Sequence, residues 1–391
     1  MKTNLANLIE EITPSLIAFA QELVRTKSLT CEERNVALII EQRMRLLSYD
    51  EVIINDMGNV LGRIGSGSKS ILFDSHMDTV GVIDAAEWSH DPYSGDIEGG
   101  YLFGRGAADM KCGLAASVYA GYVASRVGLP EDISIYVSCS TMEEDYDGEA
   151  VRQMLADGYV KPDSVVICEP TELKIASGHR GRALIEVNMP GIPCHGSMPS
   201  EGENPVYLMQ EIINRIEKLA DNLENRDGEH GSVALTNTYC NTASNNSVPA
   251  DSTIILDRRL AIGETEDIIH EEMDQLVKNT KAIWRYCDIP GKSWTEKEFL
   301  FHSFLPACDI DPNHPLIHLA QNAFRETMDS EPVVYRMMVS TNAVATSGIY
   351  GIPTIILGPG ETAQCHVRDE HCSIQEMINA CSIYAAMCLG L

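Results

Sequence analysis

The chain has 391 residues, 44% of them hydrophobic and 22% charged, with a formal net charge of −28. That length suggests two domains at roughly 150 residues each, and the composition is that of a globular protein, with no run of about 18 apolar residues to span a bilayer. Such acidity repels phosphate backbones and anionic lipid, which excludes nucleic acid and membrane as natural partners and leaves part of the acidity to serve cations.

The opening stretch MKTNLANLIEEITPSLIAFAQEL mixes acids among apolar residues and lacks a basic flank, so it is expected to form an amphipathic helix rather than a secretory signal. Strands follow near 51–55 and 60–64, then in SILFDSHMD, a helix over about 109–125, and strands in DISIYVSCS and SVVICEP with the helical AVRQMLADG between them. This β/α alternation predicts an α/β fold with a mixed, mostly parallel sheet flanked by helices. From about residue 180 the pattern changes to RALIEVNMPG, a helix near 204–220, strands near 231–240 and 251–260, and a helix near 265–279. That reads as an inserted α+β domain over 180–290, with 1–179 and 291–391 forming the first domain. After an irregular stretch at 289–312, HPLIHLAQNAFRETM, GIPTIILGPG and SIQEMINACSIYAAMCLGL read as helix, strand and closing helix. Twelve cysteines lie scattered with no CxxC pair, which suits a reducing, cytoplasmic setting rather than a disulfide framework.

Four places carry chemistry. ILFDS ends in His76-Met77-Asp78, and a two-residue spacing on an extended chain puts imidazole and carboxylate on one face, as a metal ligand and its orienting acid would be; alone, an HxD is commonly structural. The glycine-rich GRGAADMK delivers Asp109 to the start of a helix, where it either caps the helix or offers its two oxygens to two cations. Glu143 and Glu144 follow the strand SIYVSCS and Glu169 ends SVVICEP; adjacent acids can divide into a metal ligand and a proton acceptor, or simply form an acidic surface loop. Downstream, GPGETAQCHVRDE presents His366, with Glu370 four residues later. Taken together, these imidazoles and carboxylates suit divalent ions at two sites bridged by one Asp.

In order, HMD, GRGAADMK, MEED, CEP, CHGSMP and GPGETAQCH resemble the M20 metallopeptidase and deacylase family, which includes carboxypeptidase G, acetylornithine deacetylase and succinyl-diaminopimelate desuccinylase. DRRLAIGET and STNAVATSGIYGIPTIILGPGE resemble most the YgeY-type, selenium-metabolism-linked hydrolases. The resemblance implies two divalent ions per chain, Zn2+ before Co2+ or Mn2+. His76 and Glu169 would hold one, Glu144 and His366 the other, and Asp109 would bridge them. It implies Asp78 as the orienter of His76, and Glu143 as general base toward a metal-bridging water that attacks an amide carbonyl. The 180–290 insert corresponds to the family's lid and dimerisation domain, so a homodimer is expected.

Within that insert, His195 matches the lid histidine that stabilises the oxyanion, often in the partner subunit, while Asn246 and Arg259 match substrate-binding residues; Arg258 is the alternative to Arg259. An arginine can hold a carboxylate bidentately. Gly360, in the Gly358-Pro359-Gly360 loop, either offers a backbone N–H to a substrate carboxylate or belongs to a plain turn. Cys112, Cys168, Cys194 and Cys365 neighbour these motifs and are expected to pack rather than ligate. The expected activity is hydrolysis of a linear amide in a small carboxylate-bearing substrate: an N-acyl or N-carbamoyl amino acid, or a small peptide. The alternative is a noncatalytic, metal-containing protein that binds amino-acid derivatives.

Overall fold

The structure, a computed structural model, describes residues 2–226, 228–328 and 330–391. In chain order the principal elements begin with α1 (Lys2–Arg25), α2 (Arg34–Leu46), β1 (Glu51–Ile54), β2 (Val60–Gly65), β3 (Lys69–His76), β4 (Ile97–Glu98) and β5 (Tyr101–Phe103). Next come α3 (Cys112–Val127), β6 (Ile133–Ser140), α4 (Glu149–Ala156), β7 (Ser164–Ile167), β8 (Ile175–His179) and β9 (Gly181–Pro190). They are followed by α5 (Pro205–Glu224), β10 (Ser232–Asn241), β11 (Asp251–Leu260), α6 (Glu266–Val277), β12 (Ile283–Tyr286), α7 (Pro315–Thr327) and α8 (Ile374–Gly390). Among the described residues no helix is long and apolar enough to cross a membrane, and all twelve cysteines are free thiols.

The chain divides into two compact units. The first runs to His179 and resumes over Gly291–Phe299 and Asp309–Leu391. Its sheet has the order β1-β2-β6-β3-β7, then the strand Thr354–Ile356, then β8. β3 runs parallel to both β6 and β7, and Thr354–Ile356 runs parallel to β7, while β2 is antiparallel to β6. The sheet is thus mixed and mostly parallel, as its alternating strands and helices predict. Against it lies α3, whose Ala, Gly and Ser residues let a helix bury nearly all round from Cys112 to Ala124. Gly113 shows why small residues are needed there: a Cβ on it would stand 2.3 Å from the Cys168 carbonyl oxygen. Side chains of α1, α3 and α8 then join Ile71, Phe73 and Val137 of the sheet in one continuous core.

The second unit is Arg180–Pro290 with Leu300–Cys308. It is an antiparallel sheet of order β10-β11-β9-β12, with residues of α5 and α6 sharing its core. Ile185, Val187, Ile254 and Leu256 alternate inward along their strands, the period expected of a sheet with one covered face. Leu300–Cys308 corrects the sequence reading, which returned all of 291–391 to the first domain. Phe304 and Leu305 pair with Ala183 and Arg182 of β9, and Phe304 enters the second unit's core. A two-residue strand in an aromatic, Pro-rich stretch has no periodicity to announce it.

Candidate metal centre

The parallel register determines where the site forms. Because β6, β3 and β7 are neighbours pointing the same way, the loops leaving their C-terminal ends emerge at one edge of the sheet. His76, paired with Ser140, ends β3; Glu143 and Glu144 follow the end of β6; Glu169 follows the end of β7. Asp109 arrives on the turn before α3, after Gly106 in the left-handed region at φ 82°, and its peptide bond to Met110 is cis. His366 follows the parallel strand Thr354–Ile356 and itself has φ 63°.

These six positions converge. Asp109 divides its carboxylate: Oδ1 lies 2.9 Å from His76 Nε2, and Oδ2 lies 3.4 Å from His366 Nε2. On the first side, Glu169 Oε1 is 3.6 Å and Glu143 Oε2 3.9 Å from His76 Nε2. On the second, Glu144 Oε2 is 2.9 Å from His366 Nε2. Donor atoms of His76, Glu143 and Glu169, and separately of His76, Asp109 and Glu144, lie within 4.8 Å of one another. Glu143, which the resemblance leaves outside the ligand set, therefore stands within ligand reach as well.

Asp78 does more than the sequence reading gave it. The His76 Nδ1–H donates to the backbone oxygen of Asp78 at 3.0 Å, and the carboxylate is farther off at 3.6 Å. The carboxylate instead accepts the backbone N–H of Glu143 on Oδ1 at 3.0 Å, and that of Glu144 on Oδ2 at 3.2 Å, with the Thr30 hydroxyl also donating to Oδ2. One acid thus fixes the turn that carries both glutamates, while the carbonyl fixes the imidazole. With Nδ1 occupied by a carbonyl, which can only accept, Nε2 is the nitrogen turned toward the acids.

The electrostatics reflect an excess of acid. Burial, reinforced by the charges of Asp109 and Glu144, pushes Glu169 well above the usual carboxylate range, and burial pushes Glu143 the same way. Glu144 is raised by burial and by Asp109. Burial would also raise Asp109, but its contacts with His366 and His76 hold it low. His366 is raised to about 10 by Asp109 and Glu144. For His76, burial opposes the charged form, yet Glu169 and Asp109 lift it well above an ordinary imidazole. Four carboxylates around two imidazoles thus lack positive charge, and nitrogen and oxygen donors at these separations fit divalent zinc, cobalt or manganese.

Residues 72–389 match the sequence profile of peptidase family M20/M25/M40. The chain belongs to that family. It is similar to the uncharacterized protein YgeY of Escherichia coli K12, with 31% identity over 376 residues, 95% of this chain and 93% of that one. The acetylornithine deacetylase of Proteus mirabilis is 26% identical over 91% of this chain and 92% of its own length. Among solved structures, the M20 family metallo-carboxypeptidase Sso-CP2 of Sulfolobus solfataricus shares the fold at a TM-score of 0.74 and 16% identity, covering 96% of this chain and 99% of its own.

Other expected site residues of this M20 chain fall differently. His195, Asn246 and Arg259 all belong to the second unit. There the His195 and Asn246 loops lie side by side, with the Gly196 N–H donating to Asn246 O at 2.6 Å and His195 bridging to Ser247. Arg258, the alternative to Arg259, does not face substrate: it is 1% exposed and spent on Glu264 and Glu272. Arg259 pairs with Asp257 at 2.8 Å and keeps an exposed face. Gly360 is corrected too, because its N–H donates to Glu376 Oε2 at 2.8 Å and is not free for a substrate carboxylate. Cys365 borders the acidic cluster, where burial and then the charges of Asp109 and Glu169 push its thiol up.

Sequence reasoning passed over Glu33 and gave Glu370 no role. Glu33, fully buried, accepts the N–H of Met142, the left-handed residue just before Glu143, at 3.0 Å. Glu370 accepts N–H groups from the Asp109 turn. Nothing local in CEER or VRDE distinguishes either from a surface acid.

Proposed function

We propose that this chain hydrolyses a linear amide next to a carboxylate, removing an acyl or carbamoyl group from an amino acid or cleaving a small peptide, with two divalent metal ions, zinc foremost. The observation that carries the proposal is the divided carboxylate of Asp109, with one oxygen toward His76 and the other toward His366. His76 and Glu169 would hold one ion, Glu144 and His366 the other, and Asp109 both. When bound, such ions lower the pKa of water to about 7 and polarise a carbonyl.

The chain's own residues supply the rest. Glu143 borders the first half of the cluster at a longer distance than Asp109 or Glu169, and its backbone is fixed by Asp78. It is the acid placed to accept the attacking water's proton and return it to the leaving nitrogen. In His195, Nδ1 accepts the Ser197 N–H at 3.1 Å, so the neutral ring carries its proton on Nε2 and can donate to a developing oxyanion. Arg259, near the C-terminal end of β11, is proposed to hold the substrate carboxylate. Asn246, on the loop that precedes the other end of that strand and lies against the His195 loop, is proposed to contact substrate with His195. The second unit is proposed to serve as lid and homodimer contact. The free cysteines suit a reducing, cytoplasmic setting.

A mass-spectrometric screen of N-acetyl, N-succinyl and N-carbamoyl amino acids and dipeptides, with zinc-loaded protein, tests this reading. One consumed class is expected. No turnover with zinc, cobalt or manganese would overturn it.

A further inference from the structure

We propose that Glu370, clamped by Arg105, is a positioning residue that holds the Asp109 carboxylate in its bridging attitude. The inference rests on Asp109 being a metal ligand as proposed above. Glu370 is fully buried, and Oε1 accepts two consecutive backbone N–H groups, from Ala108 at 3.0 Å and Asp109 at 3.1 Å. Its other oxygen, Oε2, accepts Arg105 Nη1 at 2.6 Å. The Arg105 guanidinium lies over the Trp88 ring at 5.2 Å, which fixes the clamp from behind. Backbone closes the loop at its other end, where the Gly104 N–H donates to Glu370 O at 2.9 Å.

Both ends of the 104–109 turn are therefore fastened to one residue. That residue stands four positions after His366, the imidazole that Asp109 faces with Oδ2. Glu370 thus joins the segment bearing the bridging acid to the segment bearing a terminal histidine, across 261 residues of sequence. The neighbouring strand does not need this side chain for its place, because His371, Cys372 and Ser373 pair through backbone with Phe103, Leu102 and Tyr101. What the carboxylate adds is an acceptor for two N–H groups, one buried and one part-buried, that otherwise turn elsewhere and carry Asp109 with them.

The test compares wild type, Glu370→Gln and Glu370→Ala in zinc affinity, by competition with a chromogenic chelator, and in the melting midpoint of the metal-free proteins. Glu370→Ala is expected to weaken zinc about 10- to 100-fold, the usual cost of losing a group that orients a ligand. Glu370→Gln keeps an amide oxygen for the turn or for Arg105 but not both, and is expected to fall between, at least about threefold weaker than wild type. If the alanine variant does not fold, the glutamine isostere alone decides. Variants within twofold of wild type in zinc affinity, whether or not their metal-free midpoints drop, would overturn the inference and make Glu370 a fold residue. A wild-type chain that takes up no zinc would instead overturn the reading of the centre itself.

Discussion

A cluster of charge around Arg258 in the second unit and the acidic cluster of the first unit are built on opposite principles. In the second unit Arg258 is enclosed by Glu264 at 2.6 Å and Glu272 at 2.9 Å, and also donates to the Arg259 carbonyl, so that every strong group has a partner. In the first unit Asp109, Glu143, Glu144 and Glu169 crowd two imidazoles, and burial and mutual repulsion drive three of the four acids upward. A satisfied cluster holds strands and helices together. An unsatisfied one, at the ends of parallel strands, is a place prepared for cations.

The contrast can be broken at either end. Asp109→Asn removes the charge shared by both halves of the acidic cluster; zinc content should fall from two per chain to one or none, and turnover to background, as read by elemental analysis and the amide assay. Arg258→Ala should destabilise the chain by about 2–3 kcal/mol, because two part-buried acids lose the buried guanidinium between them. Denaturant titration measures that loss, and the folded fraction should still bind zinc normally. Reduced zinc uptake by folded Arg258→Ala would mean that the two clusters are not independent.

Glu143→Ala sharpens the division within the acidic cluster itself. It should retain both metal ions yet lose at least about 10²-fold in turnover, the usual contribution of a positioned proton acceptor. Loss of one ion would make Glu143 a ligand, as its 3.9 Å approach to His76 Nε2 permits.

The smallest effect concerns His302, in the second unit. Burial lowers its pKa, but hydrogen bonds to Glu266 and Asp288, each at 2.9 Å, raise it above the ordinary imidazole value. A raised folded-state pKa stabilises fully below the unfolded value of about 6.5 and is lost as pH rises through the folded value. The unfolding midpoint of wild type should therefore exceed that of His302→Gln by more at acidic pH than at alkaline pH. A difference that does not change with pH would remove His302 from the pH dependence.

The centre was legible in the sequence because each of its motifs sits where a strand or turn ends: HMD after ILFDS, EE after SIYVSCS, E after SVVIC. Parallel pairing of β6, β3 and β7 then needed only to bring those ends together. What stayed hidden depends on contacts distant in sequence. Glu370 reaches across 261 residues to Asp109, and the choice between Arg258 and Arg259 turns on which strand face α5 and α6 cover. Whether the Gly360 N–H is free for a substrate turns on Glu376, sixteen residues on in α8 and invisible in the loop's own sequence. Leu300–Cys308 joined the wrong domain for the same reason, since its partner strand β9 lies more than a hundred residues earlier.

The most direct test is calorimetric titration of zinc into metal-stripped wild-type chain. Two ions per chain are expected, with the second lost in Asp109→Asn. One ion that binds equally well to wild type and Asp109→Asn, or none at all, would contradict a centre bridged by that carboxylate.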